Sequence, residues 1–179
     1  MKRRNYVWTS LAIVALFPVA ATLINAGDPD HYMKPYSGSP AFEQVKKLAG
    51  VWEGSTNHDK ANDKGTVIYK VTSNGSAIEE TLFQGTDHEM VSIYTDPKGK
   101  LTLTHYCAMG NQPVLDLQSS SKTDVVLSLA KNGGVDPKET HMHALTLTMP
   151  DKDHLVQKWI SYENGKPSGE TVVTLTRKS

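Results

Sequence analysis

Two short stretches of this chain carry side chains able to do chemistry at a spacing that matters: His105-Tyr106-Cys107 and His141-Met142-His143. If each stretch is a strand, its first and third side chains share one face about 6.5–7 Å apart. Two imidazoles so placed can converge on one ion. A third ligand from another strand, with a position left open for water or substrate, is the arrangement of catalytic zinc and non-haem iron. In that reading His105, His141 and His143 hold zinc or iron, and Glu80 or Glu89 serves as general base. The same groups, joined by Cys107, Asn111 and Gln112, could instead orient an organic ligand through hydrogen bonds. Cys107 is open to two readings, a thiolate activated beside His105 or a small packed hydrophobe. No Gly-x-Ser-x-Gly elbow, phosphate loop or dinucleotide fingerprint occurs.

The elements that must position these residues are strands. Ser39-Pro40 followed by Ala41-Phe42-Glu43-Gln44 opens one short helix, with serine as cap and proline at the first helical position, and Gly50 lies just past its end. From Gly50 onward the hydrophobic period becomes two. Ten stretches rich in Val, Ile, Thr and Tyr follow, most of them separated by turn residues such as Asn74-Gly75, Pro97-Lys98-Gly99, Gly110-Asn111 and Asn164-Gly165. No helical pattern long enough for a parallel crossover interrupts them, so the sheet should be antiparallel and consecutively paired. Ten short strands with one apolar face are best satisfied by closure into an up-and-down barrel, which leaves no edge. The expected fold is therefore all-β, a single antiparallel barrel over residues 40–179 with a short helix before it.

A consecutive meander also predicts which residues share an end. The ends of odd strands and the starts of even ones fall on one rim, which gathers His58, His88, His105, His141 and His143, five of the seven histidines. His154 belongs to the opposite rim and His31 precedes the barrel. Alternation with Leu101 and Leu103 turns His105 and Cys107 inward, and alternation with Leu145, Leu147 and Met149 does the same for His141 and His143. Ile78 and Leu82 take Glu80 inside. For Glu89 the alternation is undecided: Val91 and Ile93 would bring it in, Met90 and Tyr94 would turn it out.

Gly50-Val51-Trp52-Glu53-Gly54 on the first strand, after a short helix and before a meander, resembles the calycin superfamily of lipocalins, fatty-acid-binding proteins and nitrobindin-like barrels. The resemblance implies a lipocalin-like barrel whose closed end is plugged by Trp52. The nitrobindin pattern, Gly-x-Trp-x-Gly-x-Gly, is broken at its last position by Thr56. That branch implies haem on one axial histidine, but the histidine nearest the C-terminus, His154, lies on the wrong rim. An inward His-x-His also resembles the cupins, whose following glutamate is replaced here by Ala144 to Thr148.

Charge and composition bound the rest. Lys2, Arg3 and Arg4 precede an apolar run from Val7 to Ile24 and the small residue Ala26, the pattern of a signal peptide over residues 1–26. The run is 18 residues long, near the lower limit for an uncleaved anchor. Residues 27–39, with Pro29 and Pro35, read as a flexible linker. The chain's 19 basic and 19 acidic groups leave residues 27–179 with 16 against 19, a net charge of −3. A mildly acidic body excludes a non-specific nucleic-acid binder, and one cysteine excludes a disulfide scaffold. The expectation is an exported, periplasmic or secreted barrel that takes a small apolar or amphipathic ligand through a histidine-rich mouth, with no membrane insertion once the leader is removed. A metal-dependent enzyme and a haem-binding barrel stand as alternatives.

Overall fold

The computed structural model describes residues 34–58 and 64–178; the expected leader and the first part of the expected linker lie outside them. Helix α1 (Pro40–Lys46) is followed by ten strands: β1 (Gly50–Thr56), β2 (Gly65–Thr72), β3 (Ala77–Leu82), β4 (Met90–Thr95), β5 (Thr102–Tyr106), β6 (Val114–Ser120), β7 (Asp124–Leu129), β8 (His141–Thr148), β9 (His154–Glu163) and β10 (Lys166–Arg177). Every pairing is antiparallel between neighbours in sequence, and β10 returns to β1 to close the barrel. This is the all-β barrel the alternation calls for, with its one short helix on the N-terminal side.

The helix forms where its caps allow. Ser39 Oγ accepts from the Phe42 amide at 3.3 Å, and Glu43 reaches back to the Gly38 amide at 2.8 Å, so two free N–H groups at its start are satisfied. Asp96, in the turn after β4, is buried and accepts from both the Ser39 amide (2.6 Å) and its hydroxyl (2.9 Å). Tyr36 adds a hydrogen bond to the Asp96 carbonyl at 3.0 Å, so the chain is already held to the barrel from Tyr36 onward. Ala41, Phe42 and Val45 then face the interior.

That end of the barrel is filled. Trp52 is fully buried, its indole N–H donates to the Leu48 carbonyl at 2.8 Å, and the Arg177 guanidinium lies 4.2 Å from its ring centre. Leucines from β5 to β9, among them Leu103, Leu115, Leu127, Leu145 and Leu155, pack above it with no exposure. At the other end the side chains no longer fill the section, and an opening remains.

Two local features set which side chains reach that opening. On β4 the buried residues are Ser92 and Tyr94, so the phase is Met90, Ser92 and Tyr94 inward. On β8 the register slips by one between Met142 and Ala144: Met142 lies opposite Ser161 and Ala144 opposite Ile160, leaving His143 as an extra residue. The bulge turns Met142 onto the interior face with Leu145 and Leu147.

Candidate functional site

The open end is a bowl of about 500 Å³. Its apolar wall comes from Phe83, Met90, Ala108, Met109 and Met142, while His58, Lys64 and His88 stand around the rim. Phe83, Met90, Met142 and Thr171 also line a second, smaller space of about 30 Å³ beneath it, whose remaining walls include Leu82, Trp159, Val173 and one polar side chain, His105. The bowl thus narrows through a waist of two methionines and a phenylalanine to a pocket with room for a terminal group. Phe83 takes a left-handed backbone conformation (φ 54°) at the end of β3, and its ring covers Gly65 from 2.8 Å of where a β-carbon would sit.

Below the waist the barrel carries a polar belt. Tyr69 on β2 is the register partner of Glu80 on β3, Glu80 of Ser92 on β4, and Ser92 of His105 on β5. All four side chains face inward and all are buried. The Tyr94 hydroxyl donates to Glu80 at 3.0 Å, and the Gln157 amide, from β9, donates to the other Glu80 oxygen at 2.6 Å and also meets the Tyr69 hydroxyl at 2.6 Å. Trp159 Nε1 completes the belt by donating to Gln157 Oε1 at 3.0 Å. Burial pushes the Glu80 carboxyl up, opposed by donors from Tyr69, Tyr94, Gln157 and Ser92. The same burial holds the Tyr69 and Tyr94 phenols well above their ordinary value, with the Glu80 charge adding to it.

His105 ends the belt. It is 1 % exposed, its ring sits 4.7 Å from that of Trp159, and Nδ1 meets Ser92 Oγ at 2.9 Å. Its other nitrogen, Nε2, is buried and has no hydrogen-bond partner. Burial lowers its pKa from 6.5 to about 4, so the imidazole is neutral at pH 7.

The remaining residues singled out by sequence are distributed differently. Cys107 lies beyond β5 and lines the bowl as a half-buried free thiol. Glu89 is not a cavity residue: it precedes β4, is exposed, and accepts from the Gly85 amide at 2.6 Å, because the inward phase of β4 belongs to Met90. Gln112 is exposed and donates to the Gly110 carbonyl, and Asn111 donates to the Thr140 carbonyl at 2.8 Å, tying the β5–β6 loop to the β7–β8 loop. Both are loop residues outside the bowl's lining.

The expected inward pair His141 and His143 is corrected by the β8 bulge. His143 stacks on Tyr162 at 3.7 Å, and Tyr162, the register partner of His141, lies on the face of β9 opposite Trp159, so neither histidine shares the inward face of Met142; His141 is nevertheless buried at 1 % exposure and His143 half-buried. His141 Nδ1 contacts the Glu139 carbonyl at 2.8 Å and Nε2 meets His143 Nδ1 at 3.2 Å, an arrangement of one imidazole hydrogen-bonded to the next. Burial first, and then the neighbouring His141, lower the His143 pKa. His105, across the wall, cannot join them. Among the described residues no three His, Cys, Asp or Glu side chains are placed to hold a metal ion. The haem implied by the nitrobindin-like resemblance does not fit His105 either, since the space of about 30 Å³ that His105 lines has no room for a macrocycle.

Met90, Met142, Ser92, Tyr94 and Gln157 were not among the sequence candidates. Gln157 could have been found, because it alternates with the inward Leu155 and Trp159. Met142 could not, because nothing in the residue order announces the bulge.

No family model matches this chain, and no curated protein does. Among solved structures it is similar to a protein of unknown function from the DUF3598 family of Nostoc punctiforme PCC 73102, with 17% identity and a TM-score of 0.40. The match covers 86% of this chain and 53% of the other, so the chain spans about half the length of that relative.

Proposed function

We propose that this chain is an exported small-molecule-binding barrel, of the lipocalin-like kind within the calycin group, that takes an apolar or amphipathic ligand through its open end. The observation that carries the reading is the bowl of about 500 Å³ with mostly apolar walls, narrowing past Met90 and Met142 to a smaller space that His105 helps to line. A volume in that range with mostly apolar walls and a few placed polar groups is the ordinary composition of a ligand cavity. Trp52 beneath Arg177 at the filled end supports the calycin-like part, and the basic-then-apolar leader supports export.

The test is titration of the barrel with N-phenyl-1-naphthylamine, a neutral probe that fluoresces in apolar surroundings. Saturable binding at one site per chain is expected. Met142→Arg, which places a guanidinium at the waist, should weaken it at least tenfold, about 1.4 kcal/mol. Absence of saturable binding to the wild type would sink the proposal.

A further inference from the structure

The two ends of the barrel differ in charge. Outside the strands, the described residues at the filled end carry eight lysines against four carboxylates. Those at the open end carry three against four. The carboxylates of the filled end are already engaged within the fold. Glu43 accepts from Lys46 at 2.8 Å, and Asp96 is buried on Ser39. Asp151 is closed on His154 at 2.9 Å, and Asp153 stands 3.5 Å from Lys152 and 4.0 Å from Arg177. Lys47, Lys98 and Lys122 are exposed and form no ion pair among the described residues.

Lys47 and Lys122 flank a groove of about 280 Å³, which Lys152 and Arg177 also line. Its one carboxylate is Asp151, already held by His154. The Arg177 guanidinium donates to the carbonyls of Lys47, Ala49 and Lys152, which satisfies its hydrogens on neutral groups. The groove therefore keeps a positive field, with room for a phosphodiester. The lysines stand on separate turns around one end of a cylinder, so a broad anionic surface reaches them together.

The course of the chain selects lipid as that surface. The described residues begin at this end, where the Lys34 carbonyl accepts from Asn74, in the turn after β2, at 3.0 Å. The apolar run from Val7 to Ile24 ends ten residues earlier. Ten residues span at most about 35 Å. Leader or anchor, such a run sits in lipid, which brings the filled end to the membrane.

We propose that the filled end docks peripherally on an anionic phospholipid surface, with the turn lysines on the head groups, one phosphate in the groove between Lys47 and Lys122, and the bowl facing away. The docking does not depend on what the bowl holds.

The experiment is co-sedimentation of residues 27–179, whose closure and core lie within the described barrel, with sucrose-loaded vesicles. At about 50 mM salt the protein should bind vesicles containing about 30% phosphatidylglycerol and stay in solution with phosphatidylcholine alone. Raising the salt to about 0.5 M should release it. Each lysine at such a surface is worth roughly fivefold in partitioning. Lys47→Glu combined with Lys122→Glu should therefore weaken binding at least tenfold. Lys131→Glu combined with Lys138→Glu makes the same change in net charge at the open end, on equally exposed side chains. That pair lies a strand length from the lipid, beyond the screening distance, and should leave binding within about twofold. No binding to anionic vesicles, equal binding to both lipids, persistence at high salt, or an equal loss in both double variants would overturn the proposal. So would release by inorganic phosphate beyond that by chloride at equal ionic strength, which would make the groove a site for a soluble anion.

Discussion

His105 concentrates the chemistry of this barrel in one side chain, and its burial makes a prediction about acid. The folded pKa of about 4 lies below the ordinary 6.5, so between those values the unfolded chain binds a proton that the fold refuses. The stability it supports is complete above pH 6.5 and declines as the pH falls through that window towards 4. The full span corresponds to about 3 kcal/mol. Glu80 acts in the opposite sense, since a raised carboxyl pKa lets the fold take up a proton before the unfolded chain does. It therefore softens the decline and does not cause it. Urea unfolding at pH 7, 5.5 and 4 should show the loss in wild type and a clearly flatter profile in His105→Phe. Parallel profiles would show that the imidazole is not held neutral by its burial. The inward position of His105 was legible from alternation with Leu101 and Leu103. Its missing partner was not, because that depends on Ser92 and on a β4 phase the residues left ambiguous.

Elements are held here by a few polar contacts whose worth differs. Asp96 fixes helix α1 to the β4–β5 turn by accepting two hydrogen bonds from Ser39 and one from the Tyr36 hydroxyl at 3.3 Å. Asp96→Ala would leave the part-buried Ser39 amide without a partner and should cost about 2 kcal/mol. Ser39→Ala removes only the cap and the hydroxyl contact and should cost about 1 kcal/mol. Chemical denaturation of the two variants checks the order, and an equal or reversed order would mean that Asp96 does not anchor the helix. Strand identities were readable at this scale, since turn pairs such as Asn74-Gly75 and Asn164-Gly165 punctuate a period of two. Strand phase was readable only where no bulge intervened. On β5 the alternation carried His105 inward correctly. On β8 the extra residue at His143 reversed the faces of everything before Ala144, exchanging a predicted pair of inward histidines for a single inward methionine. The candidate metal centre was lost to that one-residue slip.

The barrel as a whole closes through the β1–β10 pair, and the motif that suggested the fold explains how. In Gly50-Val51-Trp52-Glu53-Gly54 the tryptophan fills the closed end, but the two glycines answer to backbone. Gly50 has φ 133°, a conformation that side chains rarely adopt, with Arg177 Nη1 2.9 Å from where a β-carbon would stand. At Gly54 the constraint is harder, because a β-carbon would lie 1.8 Å from the Thr174 carbonyl oxygen of β10. No rotamer relieves a clash with backbone, so any side chain there must part the two strands. Gly54→Ala should therefore loosen the pairing of Gly54 with Leu175 and Ser55 with Thr174, one register short of the last pair, Thr56 with Val173, at the open end. The expected result is faster amide exchange along β1 and β10 than along β5 and β6, with a loss of several kcal/mol in unfolding free energy. Because Thr56 and Thr171 line the bowl just beyond that pairing, probe binding should weaken with it. Uniform exchange across all strands in Gly54→Ala, or none, would place the closure of this barrel elsewhere than in the contact between glycine and the Thr174 carbonyl.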